Sequence, residues 1–124
     1  MTSRCRVLVA DDNHDSADSL VDLLRAMGHV AFATYDGQQA VEVCSDWHPD
    51  LAILDVQMPL MDGCAAARLM RDSREPPRLI ASLSGMSPNE EPLRSGSAVF
   101  DVKLSKPPKV QEIDDLIGRT RCDR

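Results

Sequence analysis

Short apolar runs alternate along this chain with stretches in which apolar residues recur every three or four positions. The runs predict five strands, at residues 7–10, 30–35, 51–54, 78–83 and 100–104. Continuous runs of this length are typical of strands that are buried on both faces. The stretches between and after them predict helices, because residues at those spacings share one helical face. Five alternations of strand and helix predict an open parallel sheet with helices on both faces.

Residues with capping preferences mark several of the predicted helix boundaries. Gly28 is placed to end the first helix, and the turn dipeptide Asp36-Gly37 closes the second strand. Asp62 is placed to cap the third helix, and Ser87–Glu90 has the form of a capping box for the fourth. The apolar stripes that predict helices are Leu20, Leu23, Leu24 and Met27; Ala40, Val43, Cys44 and Trp47; Ala66, Leu69 and Met70; and Val110, Ile113 and Ile117.

Polar side chains follow four of the predicted strands. Asp11 and Asp12 come after the first strand, Asp55 after the third, Ser84 after the fourth and Lys106 after the fifth. In open parallel sheets ligands bind beyond the carboxyl ends of the strands, so these side chains are expected at one edge. Carboxylates gathered there repel one another, by about 4 kcal/mol per pair at 4 Å and an effective dielectric near 20. Mg²⁺ would relieve that repulsion and attract a phosphoryl group.

Each of these residues alone has a commoner structural interpretation. An Asp-Asp pair or a single aspartate at a strand end is more often a cap or a turn, and Ser84 an ordinary turn serine. A single lysine such as Lys106 most often faces solvent. Their order along the chain favours function, because two strand–helix units separate Asp12 from Asp55 and one unit separates each later pair. An aspartate in such a site can itself act as the nucleophile toward phosphorus.

Composition excludes several other classes of protein. The 124 residues are 43% hydrophobic and 27% charged, which suits one globular domain. The formal net charge of −6 disfavours direct nucleic-acid binding, and no apolar run approaches the length needed for membrane insertion. The four cysteines include no close pair, so a reduced state and a cytoplasmic location are expected. Zinc-ligand spacing is absent.

The segments VLVADDN, YDGQQAVE, HPDLAILDVQMPLMDG, LIASLSG and FDVKLSKP resemble the receiver domain of two-component response regulators over nearly the whole chain. The resemblance implies the flavodoxin-like (βα)5 doubly wound fold, with strand order 2-1-3-4-5. It also implies that Asp55 accepts a phosphoryl group from a histidine kinase. Ser84 then occupies the position of the switch hydroxyl, and Lys106 that of the lysine which contacts the phosphoryl group.

The same resemblance implies Mg²⁺ as the cofactor. Asp12 would bind the metal directly and Asp11 largely through water. The carboxylate of Asp55 and the main-chain carbonyl of Gln57 would complete the protein ligands. These four residues are the expected metal site.

The resemblance also bears on partners and organisation. A histidine kinase or a phosphotransfer protein is the expected donor, the downstream target is unknown, and homodimerisation is left open. Residues 1–124 are expected to form a single receiver domain, complete from Met1, most like receivers of hybrid histidine kinases or single-domain response regulators. Such a domain is a phosphoacceptor that assists its own phosphorylation and dephosphorylation, and it is not classed as an enzyme.

Two departures from the family pattern concern signal output. Lys103 stands where the family often has the aromatic switch side chain, three residues before the lysine. The fourth predicted helix contains Pro92 and Gly96, which are unfavourable inside a helix by about 3 and 1 kcal/mol respectively. Neither departure alters the residues expected to perform phosphorylation.

Three other functions fit parts of the pattern. A flavodoxin-like redox protein shares the architecture, but it would need a phosphate-binding loop after the first strand and aromatic residues, which are only 3% here. A haloacid-dehalogenase-type phosphatase usually has a second acid two residues after its nucleophile, where this chain has Gln57. A pseudo-receiver used only for docking is disfavoured because every expected catalytic position is filled.

Overall fold

The computed structural model describes residues 4–56, 58, 61–84, 100–106 and 108–120. In these ranges the chain forms a five-stranded sheet whose strand pairings are all parallel, in the order β2-β1-β3-β4-β5. This is the predicted flavodoxin-like fold and strand order. The elements are β1 (Arg6–Ala10), α1 (His14–Ala26), β2 (Val30–Thr34), α2 (Gly37–Trp47), β3 (Leu51–Asp55), α3 (Gly63–Arg71), β4 (Leu79–Ser84), β5 (Val102–Ser105) and α4 (Val110–Thr120).

Two apolar layers cover the sheet, one on each face. Because successive strand residues point to opposite faces, Val7 and Val9 of β1 join the layer that contains α1 and α4, whereas Leu8 joins the layer of α2 and α3. All five residues of β3 are buried. The site-bearing strands β1 and β3 are therefore central in the sheet and covered on both faces.

The helical stripe is confirmed for α1 and is wrong at one position each in α3 and α4. In α4, Ile113 and Ile117 are buried as expected, but Val110 is 57% exposed. Leu69 was expected on the inner face of α3, but it is 47% exposed. The buried face consists of Gly63, Ala66, Ala67 and Met70. Three of these four residues are small, so this face lets α3 approach the sheet closely, and Leu69 is turned toward solvent.

Side chains cap the first three helices at their N-termini. Asn13, Asp36 and Asp62 each accept a hydrogen bond from a backbone amide of the first turn. The cap at Asp62 was predicted, whereas Asp36-Gly37 proves to be a cap and a first helical residue rather than a simple turn. Gly28 follows α1 with a φ of 95°, a conformation that favours glycine, as its predicted capping role requires.

Several expectations fall on residues that the structure does not describe. The fourth predicted helix, with its capping box at 87–90, Pro92 and Gly96, lies outside the described residues, as do Gln57 and Cys122. Among the other cysteines, Cys44 and Cys64 are not disulfide-bonded, but Cys5 is, so the expected reduced state is wrong for Cys5. Spacing along the chain could not reveal this bond, because folding decides which cysteines meet.

Candidate active site at the carboxyl edge of the sheet

The parallel sheet brings the predicted site residues to one edge. Asp11 and Asp12 directly follow β1, Asp55 is the last residue of β3, Ser84 the last of β4, and Lys106 directly follows β5. Asp11 and Asp55 are buried, at 1% and 6% exposure, whereas Asp12 is exposed. The edge therefore has two carboxylates held in the protein and a third that faces solvent.

Lys106 bridges the two buried carboxylates. Its Nζ donates hydrogen bonds to Oδ1 of Asp11 and to Oδ2 of Asp55, each at 3.1 Å. The side chain of Lys106 is 25% exposed, so the ammonium is partly shielded from water. The link joins residues that follow β1, β3 and β5, which are distant in the sequence. Without this cation, two carboxylates would face each other with little solvent to screen them.

The second oxygen of Asp11 lacks a hydrogen bond. Oδ1 accepts from the backbone amide of Asn13 at 3.0 Å, but the buried Oδ2 has no hydrogen-bond partner among the described residues. Lys106 Nζ lies 2.9 Å from Oδ2, which is an ion-pair contact rather than a hydrogen bond. A buried oxygen without a hydrogen bond is costly and is suited to a further cationic ligand.

The three carboxylates are close enough to share one metal ion. One ligand oxygen from each of Asp11, Asp12 and Asp55 lies within 4.8 Å of the others. Hard oxygen donors of this kind are those that Mg²⁺ prefers. The described residues therefore fit a small divalent cation, which would also satisfy the unbonded oxygen of Asp11.

Burial changes the proton affinity of the site. Burial and the neighbouring carboxylate of Asp11 raise the pKa of Asp55 from 3.8 to about 6, and Lys106 opposes this rise. For Lys106, burial lowers the pKa, but its hydrogen bonds to Asp11 and Asp55 outweigh burial and leave the pKa raised. The lysine thus stays charged at neutral pH, and the metal-free site favours a proton on Asp55 in mildly acidic solution.

Sequence comparison identifies the family. The family described as "Response regulator receiver domain" matches residues 7–117. The chain belongs to this family. It is also 27% identical over 117 residues to the polar-differentiation response regulator DivK of Brucella ovis. The alignment covers 90% of this chain and 95% of DivK.

Solved receiver structures share the fold. The receiver domain of sensor histidine kinase PA1611 from Pseudomonas aeruginosa, solved with magnesium in its active-site cleft, superposes with a TM-score of 0.84 at 24% identity. That match covers 94% of this chain and 97% of the PA1611 chain. The receiver of Saccharomyces cerevisiae Ssk1, solved with the phosphotransfer protein Ypd1, gives 0.81 at 22% identity, over 94% of this chain and 88% of that one.

Two glycines that sequence reasoning did not assign to the site closely approach the end of β3 and the loop after it. A Cβ on Gly63 would lie 2.3 Å from the carbonyl oxygen of Asp55, and one on Gly37 would lie 2.2 Å from that of Met61. Both contacts are with backbone, so neither neighbour can move aside as a flexible side chain could. The sequence signal that could have identified these glycines is that each directly follows a helix-capping aspartate, Asp36 or Asp62.

The positions of the remaining predicted residues are known from the elements that carry them and not from distances to the carboxylates. Ser84 is buried at the end of β4, where it pairs with Ser105 of β5. Gln57, expected to offer its carbonyl to the metal, lies outside the described residues. Lys103, at the usual position of the aromatic switch residue, is exposed on β5. The structure thus gathers Asp11, Asp12, Asp55 and Lys106 by direct distances, and Ser84 by its position on the same edge.

An open cavity of about 330 Å³ adjoins this edge. Asp11 and Lys106 line one part of it, and Leu20 and Leu23 of α1 line another. The cavity gives access to the site from the side of the sheet covered by α1.

No helix among the described residues is both long and apolar enough to cross a bilayer.

Proposed function

We propose that this receiver domain accepts a phosphoryl group on Asp55 from a phosphohistidine of a histidine kinase or phosphotransfer protein, in a reaction that requires Mg²⁺. The bridge from Lys106 to the buried carboxylates of Asp11 and Asp55 is the observation that carries the proposal. It supports the proposal because it holds two buried carboxylates and a cation together at one edge. The proposal takes residues 1–124 as one receiver domain; a cytoplasmic location and homodimerisation stay predictions.

The reaction exchanges one bond to phosphorus for another. An Asp55 oxygen attacks the phosphorus, the bond from phosphorus to the imidazole nitrogen breaks, and its electron pair returns to the imidazole of the donor. Lys106 is already within hydrogen-bond distance of Asp55 and can pair with a phosphoryl oxygen. The hydroxyl of Ser84 is proposed to hold another, as in the family. The chain thereby acts as a phosphoacceptor, with the donor's phosphohistidine as substrate.

Asp11, Asp12, Asp55 and the carbonyl of Gln57 are the proposed metal-binding groups. When bound there, Mg²⁺ would neutralise charge on the phosphoryl oxygens, which three bare carboxylates would repel. Asp11 can contribute its unbonded Oδ2 without giving up the hydrogen bond from Asn13 to Oδ1. The magnesium in the PA1611 receiver supports this assignment by similarity.

Phosphorylation by a small donor tests the proposal directly. We expect incubation with phosphoramidate and Mg²⁺ to add one phosphoryl group that resists acid and is lost in base, as an acyl phosphate should. Removal of Mg²⁺ by a chelator should prevent the reaction, and mass spectrometry of intact protein measures both outcomes. Unmodified protein after prolonged incubation with Mg²⁺ would instead favour a pseudo-receiver that only docks.

The metal ligands should differ in importance. Asp12→Ala is expected to weaken Mg²⁺ binding at least about tenfold, because a hard cation with few protein ligands loses a charged one. Asp11→Ala should weaken binding less, if its contact to the metal runs largely through water. Isothermal titration calorimetry measures both constants. Wild-type affinity in both variants would show that the metal binds elsewhere.

A further inference from the structure

Tyr35 links the end of β2 to the first turn of α1. Its ring stacks on that of His14 with centroids 3.8 Å apart and an angle of 6° between the planes. Its hydroxyl donates a hydrogen bond of 2.7 Å to Oδ1 of Asp18, one turn further along α1. The backbone amide of Tyr35 donates to Oε1 of Gln39 at 3.0 Å, which ties the ring's own backbone to α2. Tyr35 thus holds α1 at two successive positions on one face.

The segment restrained in this way begins immediately after the acidic loop, residues 11–13. The side chain of Asp12 has no hydrogen bond or ion pair with any residue in the described ranges, so nothing but its backbone positions it. That backbone is fixed on one side where the amide of Asp11 donates to the carbonyl of Thr34 at 3.1 Å. On the other side the amide of Asn13 donates to Oδ1 of Asp11 at 3.0 Å, and the loop then enters α1 at His14. The direction of Asp12 therefore depends, beyond these two backbone contacts, on how firmly His14 and the first turn of α1 are held.

We propose that Tyr35 is a positioning residue for the Mg²⁺ site, because it fixes the N-terminal end of α1 and through it the carboxylate of Asp12. This inference rests on the proposed function, which supplies the metal. It is separate from the phosphoacceptor chemistry, since Tyr35 is not among the groups proposed to contact metal or phosphoryl oxygens. The family assignment gives no part to the ring of Tyr35, and the inference depends only on the contacts of this chain.

The size of the effect follows from the fraction of molecules whose loop is in the binding-competent arrangement. A measured dissociation constant increases in inverse proportion to that fraction. Tyr35→Phe removes the hydrogen bond to Asp18 but keeps the ring stack, and we expect it to weaken Mg²⁺ binding by roughly two- to fivefold. Tyr35→Leu removes both contacts, and we expect a loss of about tenfold.

Titration of Mg²⁺ by calorimetry tests the proposal in wild type, Tyr35→Phe, Tyr35→Leu and a control. Phe32→Leu is the matched control, since Phe32 lies on β2, three residues before Tyr35, but packs edge-on against Trp47, with centroids 4.7 Å apart. It should bind Mg²⁺ as wild type does. The proton resonances of the His14 imidazole provide a second measurement, because the ring of Tyr35 should shift them upfield in wild type and Tyr35→Phe but not in Tyr35→Leu.

The outcomes separate the two proposals. Absence of Mg²⁺ binding by the wild-type protein would overturn the proposed function. Binding by wild type with an equal constant in Tyr35→Phe and Tyr35→Leu would overturn the positioning role alone. A graded loss in the order Phe then Leu, with Phe32→Leu unchanged, supports it. If Tyr35→Leu does not fold, the comparison of Tyr35→Phe with wild type and Phe32→Leu still decides.

Discussion

Asp55→Asn is expected to abolish phosphoryl incorporation and, without metal, to make the protein more stable at neutral pH. The amide is not a nucleophile toward phosphorus, so no phosphoryl group should be added. The stability gain follows from the pKa of Asp55, raised from 3.8 to about 6 by burial and by Asp11. Because the folded protein holds this proton more tightly than the unfolded chain, the contribution of Asp55 to stability is largest below about pH 4 and is lost as pH rises through about 6.

The shift in the pKa of Asp55 corresponds to at most about 3 kcal/mol. Lys106 loses one of its two carboxylate contacts in the variant, so we expect a net gain of about 1–2 kcal/mol at pH 7 that disappears near pH 4. Urea denaturation at both pH values, in the presence of a chelator, measures the difference. Asp22→Asn, at an exposed position of α1, is the control and should change stability little. A variant that is less stable than wild type at pH 7 would contradict the charge balance inferred for the site.

Gly63→Ala is expected to destabilise the fold and to slow phosphorylation. Its new Cβ would stand 2.3 Å from the carbonyl oxygen of Asp55 and 3.1 Å from Cα of Val56. Backbone atoms cannot rotate away, so α3 or the end of β3 has to shift. Overpacking of this kind costs about 1–3 kcal/mol, and a shift of β3 would displace Asp55, the proposed nucleophile. Chemical denaturation and the initial rate of phosphorylation measure the two effects.

Gly118→Ala is the matched control for that substitution. Apart from the nearby backbone of α4 itself, no atom of the described residues lies within 4 Å of a Cβ placed on Gly118, which is an exposed residue of α4. Alanine is favoured over glycine inside a helix by about 1 kcal/mol, so this variant should be more stable than wild type and phosphorylated at the same rate. The same chemical change should therefore have opposite signs at the two positions. Equal stability of both variants would remove the steric role assigned to Gly63.

The hydrophobic pattern predicted the sheet and the edge on which the site lies, because strand ends in a parallel sheet have a defined polarity. It placed Asp55 at the end of β3 and Lys106 just beyond β5. It did not show that Lys106 bridges Asp11 and Asp55, since the pattern has no information on side-chain direction. The inner face of α3 was partly mistaken at Leu69, because a short amphipathic stretch with several alanines fits more than one rotation about the helix axis.

Contacts that join distant residues were also beyond the sequence pattern. The stack of His14 on Tyr35 and the approach of Gly37 to Met61 depend on how loops meet after the sheet has formed. Asp36-Gly37 was visible as a turn signal, but a turn signal does not distinguish a hairpin from the start of a helix. Such contacts determine how firmly the site residues are held. The identities of the site residues were therefore easier to predict than the contacts that hold them.

The strand order predicts that two parts of the site open locally at different rates. Asp11 follows β1 and Asp55 ends β3, and each of these strands has a neighbouring strand on both sides. Lys106 follows β5, which has four residues and, among the described residues, pairs with β4 alone. Local opening requires least free energy where a strand has fewest partners. Fraying of the sheet at β5 would withdraw the lysine while both acids stay in place. We therefore expect the cation to be the kinetically labile component of the bridge, with the lifetime of the closed site set at the border of the sheet rather than at its centre.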